Sequence, residues 1–222
     1  TNTVIGGKDG DTITANAGEN EILGDDGHAY FFDNGDLRLM EPLNPGVGGD
    51  DTITLNDGLN SAIAGFGDDT IWMGSGRNIV LGDEGIYELL TDANGALTGV
   101  IDVHTINNCV GGEDTIDAGN GINIAAGGAE SDTITITGNS QTSRGMVLAD
   151  NGDLVLDLDH KLSHFTSNYF SCGDEDVVTL NSGTNTVIGG KDGDTITANA
   201  GENEILGDDG HAYFFDNGDL RL

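Results

Sequence analysis

The sequence predicts an all-β protein, a parallel β-solenoid with coils of about 18 residues and hairpin-like insertions at intervals of roughly 60 residues. Three observations lead to this fold class. Residues 184–222 repeat residues 1–39 without a change, aspartates and asparagines recur at fixed spacing, and glycine clusters separate short segments rich in Thr, Ile and Val. Verbatim repetition is typical of solenoids, in which length is added by adding units.

The coil is defined by two alternating segments of nine residues. Each segment begins with a glycine-rich turn and continues as a short strand, with an apolar residue two positions after an Asp or Asn, as in Asp51-Thr52-Ile53. Because strand side chains alternate between faces, Ile53 is expected to point inward and its threonine neighbours outward. The aspartates come in pairs separated by one whole coil (Asp51 and Asp69, Asp114 and Asp132, Asp176 and Asp194), and asparagines follow half a coil later (Asn60, Asn78, Asn123, Asn185, Asn203).

The whole chain, residues 1–222, is interpreted as one continuous segment of a 183-residue tandem repeat in a larger molecule. Alignment of the segments that begin at Gly49, Gly112 and Gly173 divides it into submodules. These are residues 1–48 (partial), 49–111, 112–172 and 173–222 (partial).

Segments of some twenty residues interrupt the nine-residue pattern once in each submodule. They alternate apolar and polar residues around a turn, and Asn34-Gly35 and Asn94-Gly95 are strong hairpin signals. Most aromatic residues lie here: Tyr30, Phe31, Phe32, Tyr87, Phe165, Tyr169 and Phe170. We favour the interpretation that they cover one side of the solenoid, and docking onto a neighbouring filament or cell-surface partner stays open.

The charge balance narrows the possible functions. The chain has 39 acidic and 7 basic residues, a formal charge of -32, so a nucleic acid is a poor partner and cations are favoured. No run of 18 apolar residues is present, which argues against membrane insertion. His160 and His164 lie in an irregular segment where their spacing does not favour zinc, and no catalytic motif is present. We expect a non-enzymatic protein.

Three segments carry a family resemblance. The pattern G-G-x-G-x-D-x-U-x is matched by GGKDGDTIT, AGFGDDTIW and GGAESDTIT. In this pattern, the chain resembles the RTX calcium-binding repeats. Two turns depart from the pattern, because Lys191-Asp192-Gly193 shifts the second glycine and Glu130 replaces it. The resemblance implies a parallel β-roll, calcium bound in the turns, secretion to the cell exterior, and folding only when calcium is met there.

The residues themselves also favour a metal. Stacked coils would align the aspartates along one edge, where two charges about 5 Å apart repel by roughly 1 kcal/mol even in water. Several structural Ca²⁺ ions would remove this repulsion, since calcium accepts six to eight oxygens in flexible geometry, here aspartate carboxylates of one coil and turn carbonyls of the next. The turns LGDDG, LGDEG and LADNG add further candidates, including Asp25, Glu84, Asp150 and Asp208. The predicted ligands are Asp11, Asp51, Asp69, Asp114, Asp132, Asp176 and Asp194, their acidic neighbours Asp50, Asp68 and Asp192, and the turn residues Asp26, Asp83 and Asp209.

The asparagine edge is predicted to form an amide ladder, because an amide both donates and accepts hydrogen bonds. Its members are Asn2, Asn20, Asn60, Asn78, Asn123, Asn185 and Asn203, with Gln141 taking the slot in one irregular coil. The alternative is that both edges bind calcium. Cys109 and Cys172 are expected two or three coils apart, about 10–14 Å, which is too far for a disulfide bond.

These features together predict a calcium-dependent structural repeat of a large extracellular protein, secreted or at the cell surface. It would act as a stiff extender or a building block of a filament or matrix, with calcium, neighbouring repeats and lateral copies of itself as partners. One alternative is an adhesin that binds through its hairpins. Another is an ice-binding solenoid, because Thr-x-Thr pairs such as Thr52 and Thr54 are expected on one flat face, although Trp72, Asp117 and Val177 interrupt it.

Overall fold

A computed structural model describes residues 1–106, 109–140, 142–158, 161–168, 172–214 and 220–221. Every regular element in this part of the chain is a strand. The strands are β1 (Asn2–Ile5), β2 (Thr12–Ala15), β3 (Gly18–Leu23), β4 (Gly27–Phe31), β5 (Leu37–Pro42), β6 (Thr52–Leu55), β7 (Gly58–Ile63), β8 (Thr70–Met73), β9 (Gly76–Leu81), β10 (Gly85–Thr91), β11 (Leu97–Thr105), β12 (Thr115–Ala118), β13 (Gly121–Gly128), β14 (Thr133–Ile136), β15 (Arg144–Asp150), β16 (Gly152–Asp157), β17 (Leu162–Ser167), β18 (Val177–Leu180), β19 (Thr184–Ile188), β20 (Thr195–Ala198), β21 (Glu202–Leu206), β22 (His211–Phe214) and β23 (Leu220–Arg221). They form three sheets.

The outer sheet holds seven parallel strands in the order β2-β6-β8-β12-β14-β18-β20. Each strand follows an aspartate turn and has the form Thr-Ile-Thr or a close variant. Ile53 pairs in register with Ile71, and both are fully buried, whereas Trp72 on the opposite face is 44% exposed. The prediction of inward isoleucines and outward threonines is therefore confirmed.

The central sheet holds eight parallel strands in the order β1-β3-β7-β9-β13-β15-β19-β21. It is apolar on both faces: Val80 packs in the core against the outer sheet, while Ile79 and Leu81 pack in a second core on the other side. This double burial explains why its strands read as continuous apolar runs, such as Ile79-Val80-Leu81, instead of alternating.

The hairpin sheet holds eight antiparallel strands in the order β23-β22-β17-β16-β11-β10-β5-β4. The predicted hairpins are present, and each one also pairs with the next, for example β11 with β16 through Ile101 and Leu156. The result is a continuous third layer that covers the central sheet. The covering interpretation is right for Tyr87 and Phe165, which are buried, whereas Tyr30 and Phe31 are 44% and 43% exposed. His160, Tyr169 and Phe170 lie outside the described residues.

These sheets confirm the predicted fold class. Stacking also restricts the residue type at the corners of the coil. Gly58 and Gly76 begin consecutive central strands at φ 150° and 142°. A Cβ atom on Gly76 would lie 2.0 Å from the carbonyl oxygen of Gly58 in the coil below. Only glycine supplies both this φ and this close approach.

The predicted amide ladder is present. The Nδ2 group of Asn60 donates to Oδ1 of Asn78 at 2.8 Å, and Asn78 donates in the same way to Asn123 at 2.7 Å. The amides of Asn20, Asn60, Asn78 and Asn123 also donate to a carbonyl four residues earlier, as Asn78 does to Gly74 at 2.9 Å. Both hydrogens and the oxygen of Asn78 are therefore used, which allows a polar side chain that is 1% exposed.

The ladder is interrupted at one coil, and the prediction of Gln141 in that slot is wrong. Gly145 pairs with both Asn123 and Asn185, so it holds the asparagine position, while Gln141 lies outside the described residues. The sequence alignment is displaced by four residues here, because the preceding turn is longer than in other coils and Ser143 replaces the corner glycine. Without an amide at Gly145, Oδ1 of Asn185 is buried with no hydrogen-bond partner.

The two cysteines form a disulfide bond, which contradicts the expectation that they are too far apart. The Cα atoms of Cys109 and Cys172 lie 5.1 Å apart. The coil-spacing estimate failed because both residues lie in loops that lead from a hairpin back to the outer sheet. Such loops do not follow the strand ladder and can approach each other across the coils between their attachment points.

The amide ladder generates a stability prediction. Asn78→Ala leaves a buried donor on Asn60 and a buried acceptor on Asn123 without partners, so we expect a loss of about 2–3 kcal/mol in the free energy of unfolding. Urea denaturation of the calcium-saturated protein measures it. The matched control is Asn199→Ala, which removes an exposed coil-to-coil amide bond of 3.1 Å to Asn181 and should cost about 0.5 kcal/mol or less. Equal losses for both variants would contradict a special role for the buried ladder.

Candidate metal centre

The candidate metal centre lies along the turns that lead from the central sheet to the outer sheet. Each turn ends in an aspartate that precedes an outer strand, and we call these residues the edge aspartates: Asp11, Asp51, Asp69, Asp114, Asp132, Asp176 and Asp194. Four of the turns are short, such as residues 64–69, and the others are interrupted by a hairpin, as in residues 82–114. The sequence prediction placed these aspartates on one edge, and they lie there in stacked order.

A hydrogen-bond ladder links the edge aspartates from coil to coil. The backbone N–H of Asp69 donates to Oδ1 of Asp114 at 2.8 Å, and that of Asp114 donates to Oδ1 of Asp132 at 2.8 Å. The same bond joins every consecutive pair from Asp11 to Asp194, with distances between 2.7 and 3.1 Å. One oxygen of each carboxylate from Asp51 onward is thus fixed by the backbone of the preceding coil.

The second carboxylate oxygen has no partner. Oδ2 is buried without a hydrogen bond in Asp51, Asp69, Asp114, Asp132, Asp176 and Asp194. For Asp51, Asp114, Asp132 and Asp194, this oxygen and a carbonyl oxygen of the following coil both approach a glycine near the start of the turn. A Cβ atom added to Gly82 would lie 2.1 Å from Oδ2 of Asp114 and 2.6 Å from the carbonyl oxygen of Gly127. Gly24, Gly127 and Gly189 have the same surroundings in their own turns.

The protonation equilibria reflect this burial. Burial raises the pKa of Asp69 to about 9, with the carboxylates of Asp51 and Asp25 adding to the rise. The pKa of Asp176 is raised to about 8 and that of Asp51 to about 6, again chiefly by burial. The pKa of Asp132 is shifted well upward by burial and by the charges of its neighbours in the ladder. An ionised carboxylate is therefore costly at each of these positions unless a cation accompanies it.

These surroundings fit a hard divalent cation with oxygen ligands. A buried carboxylate oxygen and a carbonyl oxygen converge with no hydrogen donor between them, and calcium takes carboxylate and backbone oxygens in flexible numbers. Within the described residues, no cluster of three or more His, Cys, Asp or Glu side chains is positioned to hold a metal. The sites therefore depend on backbone carbonyls as much as on side chains. The position beside the carbonyl is glycine at Gly24, Gly82, Gly127 and Gly189 and alanine at Ala64 and Ala149.

A second group of aspartates has a different role. Asp25, Asp83 and Asp150 lie where the chain leaves a turn to form a hairpin. Asp83 accepts hydrogen bonds from the backbone N–H groups of Gly112, on the returning limb of its own turn, and Ala129, in the next turn. Asp25 accepts from Gly49 at 3.2 Å and from Phe66 at 2.6 Å in the same way. Asp25 and Asp83 thus each fasten the base of a hairpin to two turns, and Asp150 accepts a hydrogen bond from the backbone N–H of Lys191 at 2.5 Å.

Burial also raises the pKa values of this second group of aspartates, to about 7 for Asp25, about 8 for Asp83 and about 7 for Asp150. The predicted ligands include Asp83 and, in the turn of residues 23–27, Asp26. In that turn Asp25 is buried and Asp26 is only partly buried. Asp209 holds the position of Asp26 in the last turn and is also partly buried. The signal that selects Asp25 is its position directly after the turn glycine, which Asp83 shares.

The other predicted ligands lie at the surface of the same edge. Asp50 and Asp68 are exposed, and they form a second ladder in which the N–H of Asp68 donates to Oδ1 of Asp50 at 3.1 Å. Asp192 is exposed and pairs with Nζ of Lys191. These side chains do not converge on the buried oxygens, and they contribute negative charge to the outside of the edge.

The comparison with known families decides what the turns are. A model of the RTX calcium-binding nonapeptide repeat matches residues 1–30, 45–85, 110–135 and 179–213, more than half of the chain. The chain belongs to the RTX calcium-binding repeat family. The matched segments contain six of the seven edge aspartates, all except Asp176, so the family's calcium-binding repeats largely coincide with the buried oxygens. No curated protein and no solved structure shows a significant match to the chain. In the described part of the chain, no helix has the length and apolarity to cross a membrane.

Two RTX turns that depart from the family pattern keep a positive φ at the substituted position. Glu130 and Asp192 replace the second glycine, and each adopts a φ of 69°. Gly67 holds the corresponding position of another turn at φ 134°. A non-glycine residue in this region costs of the order of 1 kcal/mol or more, so the surrounding ladder must impose the turn conformation.

The buried ladder predicts that removing one charge has opposite effects with and without calcium. In Asp114→Asn a neutral amide replaces a carboxyl group whose Oδ2 is buried without a partner, so in chelator we expect the β structure to persist to a higher pH than in wild type. With calcium, we expect about one ion fewer per chain and lower stability than wild type. Circular dichroism against pH in chelator measures the first effect, and calorimetric titration with urea denaturation in calcium measures the second. Asp117→Asn, on the outer face of β12, is the matched control and should change neither.

The raised pKa values predict a pH dependence with a definite sign. A carboxylate whose folded pKa exceeds its unfolded value stabilises the fold while protonated, and this contribution disappears as the pH rises through the folded pKa. In chelator, stability should therefore fall between about pH 4 and pH 9, given folded pKa values of about 6 for Asp51 and about 9 for Asp69.

Excess calcium should flatten or reverse this slope, because the ion binds the ionised carboxylates that protons otherwise neutralise. The loss of the β spectrum as the pH rises in chelator, and urea midpoints at several pH values in calcium, test both expectations. A stability that rises with pH in chelator would contradict the buried, unpartnered state of the edge aspartates.

Proposed function

We propose that this chain is a calcium-dependent structural repeat of a large extracellular protein, in which it acts as a stiff extender or as a building block of a filament or matrix. The observation that carries the proposal is the row of buried Oδ2 atoms without partners on the edge aspartates. A ladder of uncompensated buried carboxylates is incompatible with a stable fold near neutral pH, so folding has to be coupled to cation binding.

Calcium is proposed to bind at the aspartate edge and not at the asparagine edge. Oδ1 of Asn60, Asn78 and Asn123 already accepts a hydrogen bond from the preceding amide, so these oxygens are occupied. From Asp51 onward, the edge aspartates have one free oxygen each and carry the negative charge. Several structural ions per chain follow, one for each turn in which Oδ2 and a carbonyl oxygen of the next coil converge.

The extender role is supported by the continuity of the layers. All three sheets run through the described chain with strand bonded to strand, and two cores extend along their length. The identical segments 1–39 and 184–222 support a longer array, in which neighbouring repeats and lateral copies are the partners. The disulfide between Cys109 and Cys172 supports an oxidising, extracellular location. No feature of the aspartate edge requires catalysis, since its carboxylates recur in every coil.

Exposed aromatic residues on the first hairpin favour one second candidate, adhesion through the hairpins. Tyr30 and Phe31 are 44% and 43% exposed, although they belong to a sheet whose other face is buried. The threonine face gives less support to ice binding, because the exposed side chains of Trp72 and Val177 break its regularity. The absence of thermal hysteresis in the calcium-loaded protein would remove that alternative.

A calcium titration tests the proposed function directly. Starting from chelator at neutral pH, we expect calcium to convert an unfolded far-ultraviolet circular dichroism spectrum into a β spectrum. Calorimetry should give several ions per chain, and magnesium should have little effect because its octahedral geometry suits these carbonyl-lined turns poorly. A chain already fully folded in chelator at neutral pH would contradict the proposal, and the acidic edge would then be a surface for partners.

A further inference from the structure

An open cavity of about 580 Å³ lies between the central sheet and the hairpin sheet. The side chains of Glu21 and Ser61, on central strands β3 and β7, form its floor. Tyr87, Leu89 and Ile101, on hairpin strands β10 and β11, form one wall. This volume lies within the range of pockets that enclose small organic molecules.

The cavity exists because one row of the central sheet changes character along the solenoid. Strand pairing places Glu21, Ser61, Ile79, Ile124 and Met146 in one row on the face that is covered by hairpins. Ile79, Ile124 and Met146 fill the space under the hairpin sheet and belong to its core. Glu21 and Ser61 do not fill it, so the layers remain apart there.

The lining combines an apolar wall with negative charge. Glu19, Glu21 and Asp36 contribute carboxylates, and among the described lining residues there is no Lys or Arg. Glu21 is the central one: its carboxylate accepts a hydrogen bond of 2.7 Å from the Thr3 hydroxyl. Burial raises the pKa of Glu21, the Thr3 hydroxyl lowers it, and the charge of Glu19 raises it further. The buried ring of Tyr87 lies close enough that the charge of Glu21 contributes to raising the tyrosine pKa.

We propose that this cavity binds a small organic cation, a protonated amine carried on an apolar body. The ammonium group would lie at the carboxylate of Glu21, and the apolar body would pack on Leu59 and Leu158, the exposed apolar side chains of the lining, beside the buried wall. The charge of the floor selects a cation, and the apolar wall distinguishes an organic ammonium from a hydrated metal ion. The site is separate from the calcium edge, so its test does not depend on the proposed structural role.

The repeat supplies a matched control within the chain. Residues 184–222 copy residues 1–39, so Glu204 is the counterpart of Glu21 and Thr186 that of Thr3. Glu204 occupies the same row of the central sheet, on β21, and it does not line the cavity. In the chain of residues 1–222, Glu204→Gln therefore removes a carboxylate of the same row that does not line this cavity.

The experiment is a binding measurement on the calcium-loaded chain with phenethylamine, using 2-phenylethanol as the neutral probe of the same shape. We expect saturable binding of phenethylamine by calorimetry or ligand-observed NMR, and at least about tenfold weaker binding of the alcohol, because it lacks the charge. Glu21→Gln should weaken phenethylamine binding by about tenfold, whereas Glu204→Gln should leave it unchanged.

Ser61→Ile provides the second test, because it places in the floor the residue found at Ile79 and Ile124. It should abolish phenethylamine binding by filling the cavity and leave the calcium-induced β spectrum intact. The proposal is overturned if phenethylamine does not saturate, if the alcohol binds equally well, or if Glu21→Gln and Glu204→Gln have equal effects. Unchanged binding in a folded Ser61→Ile variant would overturn it as well.

Discussion

Stacking in register is the constraint on which the rest of this structure depends. Each coil lies on a near copy of itself, so every buried side chain meets the same kind of side chain above and below. An isoleucine such as Ile53 meets Ile71 and packs well. An amide meets an amide and is satisfied, because it carries a donor and an acceptor at once. An ionised carboxylate gains no hydrogen bond from the carboxylate of the next coil, because both groups are only acceptors.

The two edges of the solenoid are the two outcomes of this constraint. At the asparagine edge each amide forms hydrogen bonds with the amides of the neighbouring coils. The exception is the coil of Gly145, which has no amide and leaves Oδ1 of Asn185 without a partner. At the aspartate edge the backbone N–H groups satisfy one oxygen of each carboxylate and leave the other for an ion. Glycine at positions such as Gly82 keeps that space open, since a single methyl group would fill it. The unpartnered oxygens of the aspartate edge are of the kind that calcium binds, whereas the asparagine edge offers none in its regular coils.

Much of the fold was predictable because it depends on local spacing. The fixed period of the coil placed Ile53 and Ile71 in register and assigned the edge aspartates to one side from the sequence alone. The errors occurred where spacing is not periodic. Gln141 was assigned to the ladder in place of Gly145 because the turn before it is longer, and the Cys109–Cys172 bond was missed because both residues lie in loops outside the ladders.

Other features depend on contacts that sequence spacing does not specify. The joining of the hairpins into one sheet, which buries both faces of the central sheet, requires pairing between segments far apart in the chain, as between Ile101 and Leu156. The choice between Asp25 and Asp26 depends on which side chain turns back toward Gly49 and Phe66. Both outcomes follow from the tertiary arrangement of the turns.

The disulfide has a mechanical consequence for a chain that is pulled from its ends. Coils that unravel under tension release contour length, and a fully extended polypeptide gains roughly 3.4 Å for each residue. The covalent link between Cys109 and Cys172 encloses a sequence separation of 63 residues, so roughly 200 Å of length stays hidden until the bond is reduced. The middle of this segment thus has a limit to its extensibility that hydrogen bonds and ions alone could not set.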